Sequence, residues 1–566
     1  MRFSQLLLLA GLWAGSAPVQ AAAAPPAARP PQTTGTVRKH LIYFTNKANS
    51  PYSLSQPQAY LSARALQRRT RQGISLRPRD LPVNPAYVAQ VKAVAGVQLW
   101  YTSRWFNAAI VACDSTTLAV LNGLSCVRGA ETLNRGLAAP RPAEDVPPAV
   151  AQRLSSSADY GIAYGQAKMI GAATMHNAGF RGEGMQIAVF DAGFTGVNQV
   201  AAFAPLFQEQ RIASTFNFVD KNTSVYQRDA HGTQCLSTMA ANQPGVFIGT
   251  APKATYRLFI TEDSRLNSEN PIEEANWLVA AEYADSAGVD VISSSLGYTT
   301  FDLPSADYTY ADMNGRTAIS TRAAVVAARV GMLVVNSAGN EGTSSWRYIA
   351  APADADSILT VGAVDSLRAH APFSSYGPTA DGRIKPNVAT QGRQSAIISP
   401  SGTVGTGNGT SFSCPIMAGM AAGFWQANPA LNAQQVLSFL QRSGTLATAP
   451  NNTLGYGIPH FVRAYNLANP NNPLAADSPA VADAALTIYP NPSAGEAMSL
   501  HLSAAFRAAP LHVRLFDARG RLVRELRLAA TPAADVRLPA IGLVKGLYFC
   551  EVSTDKARQT VRFVQL

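Results

Sequence analysis

An aspartate, a histidine and a serine occur in that order, each in a tight glycine-containing context. Together they limit the fold of this chain more than any other feature. The stretches are Ala188-Val189-Phe190-Asp191-Ala192-Gly193, His231-Gly232-Thr233-Gln234-Cys235 and Gly409-Thr410-Ser411-Phe412-Ser413-Cys414-Pro415. Segments so far apart converge readily beyond the ends of parallel strands, where open sheets carry their sites. The local sequences agree. Met185-Gln186-Ile187-Ala188-Val189-Phe190 is an apolar run that delivers Asp191 at the end of a buried strand. Residues 289–297 and 331–337 are two more such runs. Between them lie helix-like stretches at residues 271–287 and 318–329, the first with Glu273 and Glu274 in its opening turn and Gly288 just beyond it. The alternation predicts an α/β domain, a parallel sheet with helices on both faces.

The residue types suit acyl transfer. A serine hydroxyl is a weak nucleophile until a base takes its proton. His231 can accept and return that proton near neutral pH. Asp191 can hold the imidazole in one tautomer and stabilise its charge. The oxyanion of the tetrahedral intermediate needs preorganised donors. Asn340, in Ser337-Ala338-Gly339-Asn340, offers a side-chain N–H, and the backbone N–H of Ser411 at a helix start offers a second. Taken singly, these residues could be a helix cap, a core histidine and a strand-end cap. Four pieces in order argue for hydrolysis.

Residues 160–465 resemble the subtilisin-like (subtilase) serine peptidase family. Asp191 matches the family's triad aspartate, His231 in His-Gly-Thr its histidine, Ser411 in Gly-Thr-Ser-x-Ser-x-Pro its nucleophile, and Asn340 its oxyanion residue. Gly249-Thr250-Ala251-Pro252 matches a family turn after the histidine helix. The resemblance implies that Ser293, Ser294, Ser295, Leu296 and Gly297 pair with substrate. With Ser337, Ala338 and Gly339 they would wall the main specificity pocket, with Ala350 near Pro352 at its floor. No acidic residue lies in those stretches, so an apolar or aromatic residue before the scissile bond is expected. Three departures stand out. Ala192 replaces the usual Ser or Thr, Cys414 a common Ser or Ala, and Asn387-Val388-Ala389-Thr390-Gln391-Gly392 differs from Asp-Val-x-Ala-Pro-Gly. None removes a catalytic group. No cofactor is required for this chemistry, and metal ligands are not assigned. Subtilases often carry structural calcium, and Asp312-Met313-Asn314-Gly315, after the acidic loop at residues 301–307, resembles a fragment of a calcium loop. It lacks a bidentate glutamate at the right spacing, and an ordinary turn is the stronger expectation.

At 566 residues several domains are expected. A charged-then-apolar start and Val19-Gln20-Ala21 predict a signal peptide over residues 1–21. A linker at 22–37, a compact segment at 38–135 and a second linker at 136–157 follow. The compact segment has strand-like Lys39-His40-Leu41-Ile42-Tyr43-Phe44, strand-like Ala108-Ala109-Ile110-Val111-Ala112, and a basic helix at 59–71. Its position is similar to that of a subtilase propeptide, a small α+β domain; a retained accessory domain is the alternative. The catalytic domain is expected over 158–468, and a further linker over 469–485. Residues 486–566 alternate apolar and polar residues around glycine turns, which predicts a β-sandwich. Their Tyr489-Pro490-Asn491-Pro492, Phe516-Asp517-Ala518-Arg519-Gly520-Arg521 and Gly546-Leu547-Tyr548 closely resemble the C-terminal sorting domain of type IX secretion substrates. That resemblance implies partnership with the type IX machinery and export through the periplasm of a Gram-negative bacterium, to release or surface attachment.

The net charge is +11, but Arg64, Arg68, Arg69, Arg71, Arg77 and Arg79 crowd into residues 38–135. With no aromatic-interleaved basic motif, a solvated basic face is expected rather than a nucleic-acid partner. No later stretch is apolar enough to span a bilayer. Of the five cysteines, Cys113 and Cys126 could pair, and Cys235 and Cys414 should lie near the catalytic centre, with free thiols the default. Neither occupies the nucleophile position, which excludes a cysteine peptidase. The expected function is therefore a secreted serine endopeptidase acting on proteins or peptides and restrained by its own propeptide. A selective processing peptidase and a catalytically silent surface-binding protein are the rivals.

Overall fold

The computed structural model describes residues 36–133, 159–265, 269–302, 305–474, 486–493, 497–502, 506–507, 509–531, 533, 535–538, 542–555 and 558–566. The expected signal peptide, nearly all of the first linker, the whole of the second and most of the third lie outside the described residues.

The N-terminal domain is a four-stranded antiparallel sheet with helices. Its elements are β1 (Arg38–Phe44), α1 (Ala63–Arg71), α2 (Pro85–Ala93), β2 (Gln98–Ser103), β3 (Ala108–Cys113), α3 (Ser115–Asn122) and β4 (Val127–Thr132). The strand order is β2-β3-β1-β4. The basic helix starts at Ala63, not at residue 59, because the Ser62 side chain accepts from Ala65 N and caps it there.

The next domain is built on a seven-stranded sheet. The elements that position the site are β5 (Gln186–Asp191), β6 (Ile212–Asn217), α4 (His231–Ala240), β7 (Thr255–Ile260), α5 (Pro271–Ala287), β8 (Val291–Ser294), α6 (Ile319–Arg329), β9 (Leu333–Ser337), β10 (Leu359–Val364), β11 (Val388–Gln391) and α7 (Thr410–Ala427). The strands run parallel in the order β11-β10-β9-β8-β5-β7-β6. The chain winds to one side of β5 for β6 and β7, then crosses to the other side from β8 onward. That reversal opens a crevice at the C-terminal ends of β5 and β8. Successive strand residues face opposite sides and both sides are buried. Ile187, Val189, Val335 and Val361 pack with Leu236, Met239, Met417 and Met420 of α4 and α7. Ala188, Phe190, Ile292 and Val334 pack with Trp277, Leu278, Ala323 and Ala327 of α5 and α6. This is the expected parallel sheet with helices on both faces.

The N-terminal domain rests on α5 and α6, where its Leu41, Trp105, Ile110 and Leu133 join the second core. Here the structure corrects the expected basic face. Arg68 and Arg69 are each 2% exposed, not solvated. Arg68, Arg69 (2.8 Å) and Arg104 (2.6 Å) all pair with buried Asp285 near the end of α5, and Arg64 pairs with Asp290. A carboxylate buried under three guanidiniums answers the charge that forces those arginines inward. Asp285 is held below the usual carboxylate range: burial pushes it up, and the arginines outweigh burial. Glu282, one turn earlier, accepts from Ser103 Oγ (2.5 Å), Arg104 N (2.9 Å) and Trp105 N (3.2 Å).

The last segment forms two antiparallel sheets: β12 (Thr487–Tyr489), β13 (Ser499–His501) and β16 (Asp535–Arg537), and β14 (Leu511–Asp517), β15 (Leu522–Leu528), β17 (Gly546–Ser553) and β18 (Arg558–Gln565). Leu500, Val513, Leu515, Cys550 and Phe563 share the core they enclose, which is the expected sandwich. All five cysteines are free and buried, so Cys113 and Cys126 are not bonded, nor are Cys235 and Cys414. Among the described residues no helix is long and apolar enough to cross a membrane.

Candidate active site

Asp191 closes β5 and is fully buried. Its Oδ1 lies 2.8 Å from His231 Nδ1 and also accepts from Ala192 N at 2.8 Å. Its Oδ2 is buried with no partner among the described residues. His231 opens α4, where Asp229 Oδ1 accepts its backbone N–H at 2.7 Å. The helix reaches the strand end because Gly232 follows. A Cβ there would lie 2.9 Å from Asp191 Cβ and would run into Gly193 O. The imidazole keeps 34% of its surface exposed in the cleft. Burial pulls its pKa down, but the Asp191 carboxylate and Cys235 together hold it well above the ordinary histidine value.

Ser411 is the second residue of α7 and is 8% exposed. Pro415 lies four residues on, has no N–H, and so leaves Ser411 C=O without its helical donor. Cys235 Sγ (3.2 Å) and Ser295 Oγ (2.9 Å) donate to that carbonyl instead. Cys235 Sγ also stands 3.8 and 3.9 Å from the two ring nitrogens of His231. One thiol thus joins the His helix to the Ser helix. Cys414 lies on the sheet side of α7, its Sγ donating to Ser294 O and Val335 O at 3.4 Å each; burial pushes its thiol pKa up.

Asn340 is oriented by α7. Its Oδ1 accepts from both Thr410 N and Thr410 Oγ1 at 2.9 Å. That leaves its Nδ2 turned to the cleft. A Cβ at Gly409 would lie 3.7 Å from Asn340 Nδ2 and 3.6 Å from Ser411 N, so the two expected oxyanion donors border one space. Ser411 N sits in the first helical turn, where backbone donors have no intrahelical acceptor.

The two expected pocket walls meet. Asn336 Nδ2 donates to Leu296 O at 3.0 Å. A Cβ at Gly297 would lie 2.9 Å from Ala350 Cβ, and one at Gly339 would lie 3.7 Å from it. Ser293 and Ser294 end β8, and Ser295, Leu296 and Gly297 follow it outside the strand. Ser337 ends β9, and Ala338 N donates to Val361 O at 2.9 Å. The structure thus sets Asp191 against His231, Asn340 against Thr410 beside Ser411, and residues 296–297 against Asn336 and Ala350. Sequence reasoning did not find Asn336, Ser295 Oγ or the bridging role of Cys235, because each depends on contacts across the sheet.

The loop at Asp312 uses its oxygens internally. Asp312 Oδ2 accepts from Thr309 N (2.8 Å) and Oγ1 (2.7 Å), and Asn314 Oδ1 from Arg316 N (2.9 Å) and Thr317 Oγ1 (3.2 Å). These are the bonds of an Asx-rich turn. Residues 303–304 of the acidic loop before it lie outside the described residues.

Residues 182–457 match the subtilase family. Over 315 residues the chain is 32% identical to Subtilisin NAT of Bacillus subtilis subsp. natto, covering 54% of this chain and 71% of that protein. The chain belongs to the subtilase family. It is similarly related to the subtilisin of Bacillus pumilus, 32% identical over 51% of this chain and 93% of that one. M-protease of Shouchella clausii (strain KSM-K16) is 31% identical over 54% and 68%. Residues 39–145 match the peptidase S8 propeptide domain of Bacteroidota, and residues 487–565 the secretion system C-terminal sorting domain. The subtilase is thus a serine peptidase made with its own propeptide domain and a tail that marks it for secretion, to the cell surface or beyond.

Proposed function

We propose that this subtilase is an endopeptidase that cleaves proteins and peptides through an acyl-enzyme on Ser411. The observation that carries the reading is the 2.8 Å contact between Asp191 Oδ1 and His231 Nδ1. It commits Nδ1 to the aspartate and leaves Nε2 to take the Ser411 Oγ proton as Oγ attacks the carbonyl. The same Nε2–H then protonates the leaving amine. Water, deprotonated by His231, attacks the ester and regenerates Ser411. Asn340 Nδ2 and Ser411 N–H hold the oxyanion in both tetrahedral intermediates.

Gly297, Gly339 and Ala350 leave a pocket with small, uncharged walls, which favours an apolar or aromatic residue before the scissile bond. Library cleavage by the mature enzyme tests this: an apolar preference is expected, and a clear preference for Arg or Lys would contradict it. The N-terminal domain acts as the inhibitor. Residues 38–133 added in trans should inhibit at micromolar concentration or below, whereas no inhibition would make the domain an accessory module. Export runs through the periplasm of a Gram-negative cell by type IX secretion, directed by the C-terminal sandwich. Calcium at the Asp312 loop has a direct test: loss of a calcium-dependent rise in melting temperature in an Asp312→Ala, Asn314→Ala variant would place an ion there, and a rise that survives would place it elsewhere.

A further inference from the structure

Beside the substrate strand lies a group of acidic side chains that the hydrolysis above does not use. Glu262 follows β7, Glu269 precedes α5, and Glu273 stands in its first turn. One carboxylate oxygen from each lies within 4.8 Å of the others. Oxygens bind calcium at roughly 2.3–2.6 Å, so two ligands across one ion stand about 4.6–5.2 Å apart. The three oxygens therefore span a distance that one ion of that size can bridge.

The carboxylates are held in place from outside. Glu262 Oε1 accepts from Tyr298 Oη at 2.7 Å and from Thr261 Oγ1 at 3.0 Å. Glu273 accepts from Asp263 N and Asn270 N at 2.9 Å each. Two further oxygens are buried and accept nothing from the described residues. One is Glu269 Oε1. The other is Oδ1 of Asn276, a residue 3% exposed and one turn beyond Glu273 on α5. The amide of Asn276 is fixed by Nδ2 donating at 3.0 Å to Thr261 O, next to Glu262. Buried acceptors with no donor and like charges in one place both call for a cation. The propeptide's Lys39 lies within electrostatic reach of Glu273, with its ammonium 3.9 Å from the Trp100 ring.

We propose that Glu262, Glu269 and Glu273 form a binding site for one divalent cation of calcium's size. The site would tie the start of α5 to Tyr298, the residue directly after the substrate strand.

Terbium and calcium titrations of the full-length Ser411→Ala chain, which cannot digest itself, test this. Tyrosine-sensitised terbium emission should saturate at one ion per chain through Tyr298, and calcium should displace it. Glu269→Gln and Glu262→Gln should each weaken terbium binding at least tenfold. In chelator, Glu269→Gln should melt no lower than its parent, because a like charge is gone; in calcium the parent should rise and the variant should not. The Asp312→Ala, Asn314→Ala variant should keep the calcium response. The proposal fails if terbium does not bind. It also fails if the calcium response survives both glutamate substitutions, or if Glu269→Gln melts well below its parent even in chelator.

Discussion

At the scale of single residues, the site depends on small groups that commit larger ones to a direction. Asn340 shows this best, since both acceptor bonds to Thr410 fix which end of the amide faces the cleft. Asn340→Asp keeps the acceptor and deletes the donor. It should lower turnover by about a hundredfold to a thousandfold with little change in KM, because the lost bond matters most in the transition state. Its melting temperature should stay within a few degrees of the parent, and steady-state kinetics beside a thermal melt check both parts. The His231 imidazole makes a second prediction. Its pKa is held above the ordinary value by Asp191 and Cys235, and only the neutral ring can act as base. The value of kcat/KM should therefore rise with pH through a midpoint above the usual histidine value, and Asp191→Asn should bring that midpoint down along with the rate. For stability the sign is opposite: the His231–Asp191 pairing contributes fully below the ordinary pKa and is lost as pH rises through the raised one. Asp191, His231, Ser411 and Asn340 could be named from the sequence because glycine contexts and chain order mark them, and the structure sets the first two in contact. The thiol bridge from Cys235 was not, since it exists only because Pro415 frees a carbonyl that no local pattern reveals.

At the scale of elements, α5 carries Glu273 of the acidic cluster near its start and the buried Asp285 near its end. Its limits were legible, because Glu273 and Glu274 mark its first turn and Gly288, with a left-handed φ of 84°, ends it. The strands β5, β8 and β9 were legible as apolar runs, though β8 and β9 begin two residues later than expected and β8 ends at Ser294. What the sequence did not show is that Asp285 on α5 would bury Arg68, Arg69 and Arg104. A run of arginines looks like a solvated face until its partner, distant in sequence, is known. Removing one side of such a buried cluster typically costs about 3–5 kcal/mol. Asp285→Ala in the mature enzyme should therefore weaken inhibition by residues 38–133 at least a hundredfold and leave peptide hydrolysis unchanged. An unchanged inhibition constant would show that the apolar contacts of Leu41, Trp105 and Leu133 hold the propeptide on their own.

At the scale of the whole molecule, three folded segments divide the work. The central domain carries the chemistry, the N-terminal domain lies over α5 and α6, and the C-terminal sandwich has its own core. Removal of residues 487–566 should thus leave hydrolysis by the purified enzyme intact while abolishing export from the producing cell, measured as the fraction of chain outside it. The order of domains was legible from composition and turn patterns, because separate cores leave separate apolar runs. The docking of the first on the second was not, as it rests on charges paired across the seam. The central claim is that Ser411 is the nucleophile of a serine peptidase. Fluorophosphonate labelling of the mature enzyme, followed by peptide mass mapping, tests it most directly. One adduct per chain on Ser411, absent in Ser411→Ala together with all peptide hydrolysis, is the predicted result; an adduct elsewhere, or a Ser411→Ala enzyme that still cleaves peptides at the parent rate, would contradict it.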